Sequence, residues 1–292
     1  MTTVAVLGLG AMGGRIARRL LQRGHDVVVW NRTAARTAPL VELGASAAGS
    51  PAEATRAAQV VLTMLADPQA LVAVTEGPDG VASAAGPETT LIEMSTVGPA
   101  AIGRLRSVLP EEARLLDAPV LGSLEEAESG TLLVFVGGPE DLARRWTPLL
   151  SDLGSPIRVG PLGTGASAKL VANATLVGTL ALLGEVLALA DGVGVPRDVA
   201  FRILAATPLA AQAERRRASL EGGGFPLRFS LSLARKDAEL IAAAAEDAGV
   251  DVRVLAAAAR WFAEADEAGL GDRDYSEVLT RIIDRVQGDR GG

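Results

Sequence analysis

The sequence predicts an α/β fold, in which a doubly wound, mainly parallel sheet is followed by an all-α domain that a long interdomain helix opens. In the first half of the chain, short apolar runs alternate with helical or glycine-rich stretches, which is typical of βαβ units. In the second half, apolar residues recur at helical spacing. We therefore predict two domains, residues 1–162 and residues 163–292.

Composition excludes several functional classes. With 292 residues, 49% hydrophobic and 22% charged, the chain is globular rather than disordered. A net charge of -7 disfavours nucleic-acid binding, and the lack of cysteine excludes disulfides and cysteine-ligated zinc. No signal peptide pattern is present, and polar residues interrupt the most apolar stretch, 170–190. We expect a cytoplasmic protein without a nucleic-acid or membrane partner.

Scarce residue types narrow the chemistry further. The single histidine, His25, lies between a predicted helix and strand, so a histidine-based metal site or a Ser-His-Asp triad is excluded. The single tyrosine, Tyr275, is followed four residues later by Leu279, which excludes a Tyr-x-x-x-Lys pair. Of 28 basic residues, only Lys169 and Lys236 are lysines. Either they serve proton exchange near neutral pH, or they persist by chance in an arginine-rich chain.

The first predicted βαβ unit carries a dinucleotide-binding pattern. Residues 4–9 predict a buried strand, IARRLLQRG predicts a helix, and VVVW predicts a second strand. A GxGxxG motif at this strand-to-helix junction predicts a Rossmann domain, because its glycines permit the turn, the approach of a pyrophosphate and close packing. A tight turn without a ligand is the alternative. The predicted cofactor contacts in the turn are Gly8, Leu9, Gly10, Ala11, Met12 and Gly13.

The residues after the second strand indicate which dinucleotide binds. No acidic residue is present there to accept a hydrogen bond from a ribose 2′-hydroxyl. Asn31, Arg32 and Thr33 instead supply a guanidinium and a hydroxyl where a 2′-phosphate would lie. We therefore favour NADP(H) over NAD(H), with an exposed loop arginine as the alternative.

Further strands are predicted at 59–65, 89–94, 113–120 and 132–138. Ligands of such sheets lie beyond the carboxyl ends of the strands, near Leu65, Ser95, Thr96 and the turn at 121–123. Ordinary loop chemistry is the alternative at each of these positions. Around Ile157 to Gly165 the pattern changes, and we predict that the sheet has ended and that GPLGTG forms a hinge.

The second domain is predicted to be helical. A helix from Ala166 to about Val193 would span roughly 40 Å. Because it is apolar nearly all round, other helices or a second subunit must cover it, and we expect a homodimer. Further amphipathic helices are predicted at 197–206, 209–220, 230–247, 251–267 and 275–287.

Two lysine-containing pairs are candidates for catalysis. Lys169 and Asn173 lie four residues apart on one face of the long predicted helix. A proton-donating ammonium beside an amide that orients the substrate suits carbonyl reduction by hydride transfer. Lys236 and Asp237 form a second pair, for which a solvated helix face is the alternative.

Several motifs occur together along the chain. They are VLGLGAMGGRIARRL, MLAD, EMSTVGP, DAPVLGS, ESGTLLVFVGG, GTGASAKLVAN, and the KD pair with Phe229 ahead of it. On these motifs, nearly the whole chain resembles the β-hydroxyacid dehydrogenase family, which is related to 6-phosphogluconate and 3-hydroxyisobutyrate dehydrogenases. The NRT segment is similar to the glyoxylate and succinic semialdehyde reductase branch.

The resemblance implies that Lys169 is the catalytic acid/base and that Asn173 acts with it on the substrate. Together with the strand-end positions, the predicted substrate-binding residues are Ser95, Thr96, Leu121, Gly122, Ser123, Phe229 and Asp237. The predicted cofactor-binding residues outside the glycine turn are Asn31, Arg32, Thr33, Met64, Leu65, Thr96 and Lys236. No metal site is predicted.

One position departs from the family pattern. The family usually has serine where this chain has Leu121, and the change favours a bulkier or more apolar substrate. Imine reductases share the architecture but generally replace the lysine, so Lys169 argues against that function. Our leading hypothesis is NADP(H)-dependent reduction of a small aldehyde or keto acid. An imine reductase and a non-catalytic NADP(H)-binding module are the alternatives.

Overall fold

The computed structural model describes residues 2–288, with side chains up to residue 284. Residue 1 and residues 289–292, which the two predicted domains include, lie outside the described residues. The chain divides into two compact units, of which the first ends at Leu170 and the second begins at Val171. The predicted fold class, a mainly parallel Rossmann sheet followed by a helical region, is confirmed.

Nine strands form one sheet in the described part of the chain. They are β1 (Thr3–Leu7), β2 (Asp26–Trp30), β3 (Ser46–Ala47), β4 (Val60–Thr63), β5 (Thr90–Glu93), β6 (Arg114–Asp117), β7 (Val120–Leu121), β8 (Leu132–Gly137) and β9 (Gly154–Gly160). The spatial order is β3-β2-β1-β4-β5-β6-β8-β7, and β9 pairs with β8. All neighbours from β3 to β6 are parallel, so their carboxyl ends lie at one edge of the sheet.

One sequence prediction about the sheet is wrong, and one strand was not predicted. The strand predicted over 113–120 consists of β6 and β7, separated by Ala118 and Pro119, and both pair antiparallel with β8. Proline lacks the N–H group that would continue the ladder. The sheet ends at Gly160, within the predicted range of Ile157 to Gly165, but its last strand, β9, which pairs parallel with β8, was not predicted. Most β9 residues are exposed, so this strand lacks the apolar run that reveals the others.

The helices follow the strands in the first unit and fill the second. They are α1 (Ala11–Gln22), α2 (Ala38–Val41), α3 (Pro51–Arg56), α4 (Pro68–Thr75), α5 (Gly98–Val108), α6 (Leu124–Ser129), α7 (Glu140–Ser151), α8 (Thr164–Gly192), α9 (Arg197–Leu204), α10 (Ala210–Gly222), α11 (Leu231–Asp247), α12 (Arg253–Ala265) and α13 (Glu277–Gly288). A π-helical turn, Asp266–Leu270, follows α12. The helices predicted after residue 166 are therefore present.

Each unit has its own apolar core. In the first unit, two clusters of buried side chains contain residues from the sheet and from the helices that connect its strands. In the second, α8 contributes Val177, Leu183 and Leu187 to a separate cluster. By length and composition α8 would also suffice to cross a membrane, a test that the core helix of a soluble protein passes as well.

Candidate active site and cofactor-binding turn

The turn between β1 and α1 is closely packed at two of its glycines. Gly8 has a φ of 97°, and a Cβ there would lie 2.3 Å from the carbonyl oxygen of Met64. A Cβ on Gly13 would lie 1.9 Å from the carbonyl oxygen of Gly8. Because no side chain fits at either position, the turn can lie directly against the loop that follows β4.

Gly10 has open space around it instead. A Cβ at Gly10 would meet no atom within 4 Å. Helix α1 begins directly after this residue, without a side-chain cap and without an acidic residue in its first turn. Backbone N–H groups at such a helix start bind phosphate, and the missing side chain lets a ligand approach. The residues of this turn therefore fit the pyrophosphate of a dinucleotide.

The segment after β2 is tied to the glycine turn. The Oδ1 atom of Asn31 accepts a hydrogen bond from the Leu9 backbone N–H at 2.9 Å. The Nδ2 atom of Asn31 donates to the carbonyl oxygen of Thr33 at 3.0 Å. Arg32 and Thr33 are exposed. Asn31 thus has a structural role that the sequence did not predict, while the two residues after it present their side chains to solvent.

A buried carboxyl group connects the loops after β4 and β5. Glu93 is fully buried, and its Oε1 atom accepts a hydrogen bond from the Ser95 backbone N–H at 2.7 Å. The Ser95 hydroxyl oxygen accepts in turn from the Leu65 backbone N–H at 2.8 Å. The Oε2 atom of Glu93 is hydrogen-bonded to the Thr63 hydroxyl. Glu93 therefore fixes both loops, including the predicted ligand contacts Ser95 and Leu65.

The environment of Glu93 changes its protonation. Burial raises the pKa of Glu93 to about 7, although hydrogen bonds from Ser95 and Thr63 oppose the shift. The charge of Asp117 raises the pKa further. The two acids are paired in register at the carboxyl ends of β5 and β6. Near neutral pH, the Glu93 carboxyl can therefore gain or lose its proton.

The turn after β7 presents an apolar side chain to solvent. Leu121 is 40% exposed. Gly122 has a φ of 141°, and a Cβ there would lie 2.7 Å from Cδ2 of Leu132. The Ser123 backbone N–H donates a hydrogen bond to Oε2 of Glu126 at 2.8 Å, at the start of α6. The backbone at this turn is therefore fixed, and Leu121 is its exposed hydrophobic residue.

Lys169 and Asn173 lie one turn apart on α8, as their spacing predicts. Lys169 is half-buried and is the last but one residue of the first unit. In the second unit, Asn173 is 4% exposed, and its Nδ2 atom donates a hydrogen bond to Oδ2 of Asp237 at 2.6 Å. Lys236 forms a salt bridge of 2.8 Å with Asp237. The structure thus brings together three of the predicted residues, and the buried Asp237 does not lie on a solvated helix face.

Phe229 precedes α11 and packs edge to face against Tyr275, with ring centroids 5.5 Å apart. Nη2 of the buried Arg216 donates a hydrogen bond to the Tyr275 hydroxyl at 2.9 Å. The backbone N–H groups of Arg228 and Phe229 donate to Oδ2 of Asp274 at 3.0 and 3.3 Å. Phe229 is therefore held in place by its own backbone and by a buried aromatic partner.

Thr96 lies in the loop after β5 and Met64 directly follows β4, and both are half-buried. Ala11 is exposed and Met12 half-buried in the first turn of α1. Within residues 2–288, no group of three or more His, Cys, Asp or Glu side chains is placed to hold a metal ion.

Comparison with known proteins identifies the family of both units. Residues 3–163 match the NAD binding domain of 6-phosphogluconate dehydrogenase. Residues 163–282 match the NAD-binding domain of NADP-dependent 3-hydroxyisobutyrate dehydrogenase. The chain belongs to the β-hydroxyacid dehydrogenase family. It is accordingly an oxidoreductase with a pyridine-nucleotide-binding domain, and the predicted resemblance is confirmed.

Three proteins similar to this chain differ in the reactions for which they are named. Glyoxylate/succinic semialdehyde reductase 1 of Arabidopsis thaliana is 32% identical over 96% of this chain and 98% of its own length. The structure of Mycobacterium tuberculosis 3-hydroxyisobutyrate dehydrogenase with L-serine has a TM-score of 0.86 and 27% identity, covering 97% of this chain and 99% of that one. An imine reductase from Myxococcus stipitatus in complex with NADP+ shares the fold, with a TM-score of 0.65 and 21% identity, covering 96% and 99%.

The sequence analysis assigned no role to two buried acids of the first unit. Glu93 and Asp117 are fully buried and end the strands β5 and β6. Both lie within motifs noted above, EMSTVGP and DAPVLGS. An acid at the last position of an otherwise apolar strand is the signal that could have revealed them, because a buried carboxyl group needs hydrogen-bond donors.

Proposed function

We propose that this β-hydroxyacid dehydrogenase transfers hydride between NADP(H) and a small aldehyde or keto acid, or the corresponding hydroxy acid. The substrate is of the glyoxylate, succinic semialdehyde or 3-hydroxyisobutyrate type. One observation carries the proposal: Lys169 lies one turn before Asn173 on α8, and the Asn173 amide is held by Asp237 at 2.6 Å. The name of the Arabidopsis relative supports the substrate class, since glyoxylate and succinic semialdehyde are small aldehydes that carry a carboxylate.

The chain's own residues perform the proton transfer and the orientation. Bound NADP(H) supplies or accepts the hydride. The Lys169 ammonium donates a proton to the carbonyl oxygen as negative charge develops there, and its amine accepts the proton in the reverse direction. The Asn173 amide orients the substrate hydroxyl or carboxylate, because the hydrogen bond to the buried Asp237 restricts its rotation.

Substitution of Lys169 tests this function. We expect Lys169→Ala to lower kcat by about 10²- to 10⁴-fold with succinic semialdehyde as the probe, which is the usual contribution of general acid/base catalysis. Lys169→Arg keeps the positive charge but exchanges no proton near neutral pH, so it should be equally inactive. NADPH affinity, measured by fluorescence titration, should survive in both variants because the glycine turn lies elsewhere. Unimpaired turnover in either variant would refute the role of Lys169.

Reduction of imines is a second candidate function, and the exposed Leu121 favours it. Its isobutyl group suits an apolar substrate, whereas Lys169 favours a carbonyl. A panel of semialdehydes and cyclic imines at fixed NADPH concentration separates the two functions by their kcat/KM values. If the purified protein binds NADPH tightly and reduces neither class, it is a non-catalytic NADP(H)-binding module.

We propose NADP(H) rather than NAD(H) as the cofactor on the basis of Arg32. Arg32 is exposed and directly follows Asn31, whose side chain is hydrogen-bonded to the backbone of the glycine turn. A charge-assisted bond to the 2′-phosphate contributes about 1.5–3 kcal/mol, so Arg32→Ala should weaken NADPH binding roughly tenfold to a hundredfold. NADH binding should stay unchanged, because NADH has no 2′-phosphate. Equal weakening of both dinucleotides would contradict this preference.

We propose that a second copy of the chain covers the exposed apolar side chains of α8. Val171, Leu182 and Leu189 are 68%, 49% and 63% exposed. Thr175 and Glu185 are also exposed on this helix, but large apolar side chains exposed on one helix are typical of a surface that another chain covers. Light scattering across a range of concentrations should give the mass of a dimer, and Leu182→Glu with Leu189→Glu should shift it toward the monomer. A monomeric wild-type protein at all concentrations would contradict the proposal.

A further inference from the structure

Asp117 connects the end of β6 to the start of α8. Its side chain is fully buried. The Oδ1 atom accepts a hydrogen bond from the Gly163 backbone N–H at 2.8 Å, and Oδ2 accepts from the Ala166 backbone N–H at 2.7 Å. Both donors lie at the beginning of the helix that carries Lys169. One carboxylate thus holds the first turn of α8 through two hydrogen bonds.

Two glycines make room for this contact. A Cβ on Gly137 would lie 2.4 Å from Oδ1 of Asp117, and a Cβ on Gly165 would lie 2.9 Å from its Oδ2. The Gly165 Cβ would also lie 2.5 Å from the carbonyl oxygen of Phe135. Because side chains are excluded at both positions, the first turn of α8 lies directly against the ends of β6 and β8. If Asp117 is changed, side-chain movements at these two positions therefore cannot compensate for the altered contact between α8 and the strands.

The charge of Asp117 complements the start of α8. Helix α8 has no acidic residue in its own first turn. The partial positive charge of a helix N-terminus favours a nearby anion, and charge-assisted hydrogen bonds to backbone N–H groups are strong. Burial raises the pKa of Asp117, while the hydrogen bonds from Ala166 and Gly163 oppose that shift. The strand therefore supplies the negative group that the helix sequence lacks.

We infer that Asp117 is a positioning residue for the reaction: it anchors the first turn of α8 to the end of β6 and thereby fixes the place of Lys169. The inference rests on the proposed function, in which Lys169 exchanges the proton with the substrate. Lys169 follows Ala166 by three residues, within one turn of the anchored N–H group. A displacement of about 1 Å at a reacting group can lower a rate on the order of 10²-fold.

Asp117→Asn is the principal test, because the amide keeps the size of the side chain but replaces one of the two acceptor oxygens with a donor. We expect kcat with succinic semialdehyde to fall about 10- to 100-fold while the NADPH affinity stays within a factor of about two. The deuterium isotope effect on kcat, measured with NADPH deuterated at the transferred position, should increase as the chemical step becomes slower. A smaller fraction of folded enzyme would lower the measured rate but would leave the isotope effect unchanged.

Two further variants separate positioning from stability. Asp152→Asn removes another carboxylate of the first unit, which binds Arg23 and His25 at 2.6 and 2.9 Å, so it should destabilise the protein without changing kcat. Adding Ser167→Glu to Asp117→Asn places a negative charge at an exposed position in the first turn of α8 and should restore part of the stability. The double variant should still have the low kcat, because the strand anchor is missing. Recovery of wild-type kcat in the double variant would overturn the inference.

Hydrogen exchange decides the question even if the proposed function fails. In the protein without substrate, Asp117→Asn should speed amide exchange at residues 163–169 and leave residues 8–13 protected as in the wild type. Unchanged exchange at 163–169 would overturn the anchoring role, whatever the activity. If instead the wild type reduces no carbonyl while the exchange result is obtained, the proposed function fails and the anchor stands.

Discussion

Glu93 and Asp117 of the first unit bind their partners in a different way from Asp237 of the second. In the first unit, buried side chains at the strand ends bind backbone N–H groups, as Glu93 binds Ser95 and Asp117 binds Ala166. In the second unit, the buried acid Asp237 binds a side chain, since the Asn173 amide donates to it, although Asp274 of the same unit accepts from the backbone N–H groups of Arg228 and Phe229. The first arrangement fixes whole loops and a helix start, whereas the second fixes the direction of single functional groups.

This difference predicts how substitutions act in each unit. A change at Glu93 or Asp117 should displace the backbone segment that the acid binds, together with the ligand contacts on that segment. A change at Asp237 should release the side chains that it binds, Asn173 and Lys236 among them, while the backbone keeps its place, and it should cost little more than the lost bonds. The experiments below test this contrast.

The largest effect is expected at the glycine turn. Gly13→Ala places a Cβ 1.9 Å from the Gly8 carbonyl oxygen, so α1 must move away from β1. We expect the free energy of unfolding to fall by at least about 3 kcal/mol and NADPH binding to be lost. Urea denaturation and fluorescence titration with NADPH measure the two effects.

The next residue in the same helix supplies the matched control. A Cβ on Gly14 would lie 3.9 Å from the Leu9 carbonyl oxygen, which is an ordinary contact. Gly14→Ala should therefore keep NADPH binding and gain helix propensity. If Gly13→Ala and Gly14→Ala behave alike, the close approach of α1 to β1 does not determine cofactor binding.

The second-largest expected effect is the dependence of the unfolding free energy on pH that Glu93 causes. The pKa of Glu93 is raised from 4.5 to about 7 in the folded protein. A raised pKa favours the protonated form, so this group's contribution to stability is complete below pH 4.5 and is lost as the pH rises through about 7. At 1.36 kcal/mol for each pKa unit, the loss is on the order of 3 kcal/mol.

Glu93→Gln should remove this pH dependence. The glutamine amide oxygen can accept from the Ser95 backbone N–H as Oε1 of Glu93 does, and its NH2 group can donate to the Thr63 hydroxyl oxygen, which donates to Oε2 in the wild type. The free energy of unfolding, measured at pH 5 and pH 8, should therefore fall less in the variant than in the wild type. Glu88→Gln makes the same charge change at an exposed position just before β5. It should leave the fall in unfolding free energy between pH 5 and pH 8 as in the wild type. If Glu93→Gln shows the same fall in unfolding free energy as the wild type, Glu93 does not titrate between pH 5 and pH 8.

The smallest effect is expected in the second unit. Asp237→Ala leaves the buried Asn173 amide without its acceptor, which costs about 2 kcal/mol of unfolding free energy. Asp247→Ala, at the exposed end of the same helix α11, serves as the control and should change stability by less than about 0.5 kcal/mol. Equal unfolding free energies for the two variants would contradict the side-chain pairing.

Local sequence patterns predicted most of the elements. The strand predicted at 59–65 is β4, Val60–Thr63, and the helix predicted from Ala166 to about Val193 is α8, Thr164–Gly192. Strand β9 was not predicted because it lies mainly exposed beside β8, so its residues need no apolar pattern. The predicted roles of the site residues and the homodimer stay predictions that the experiments above address.

The sequence by itself determined the order of the elements, the glycine turn and the shared face of Lys169 and Asn173. These features follow from periods of two and 3.6 residues and from the conformational freedom of glycine, which are local properties. Only the tertiary structure decided the partners of the buried acids. Asp117 lies 49 residues from Ala166, and Asn173 lies 64 residues from Asp237. Such pairs depend on how strands and helices pack, and no local period encodes that packing.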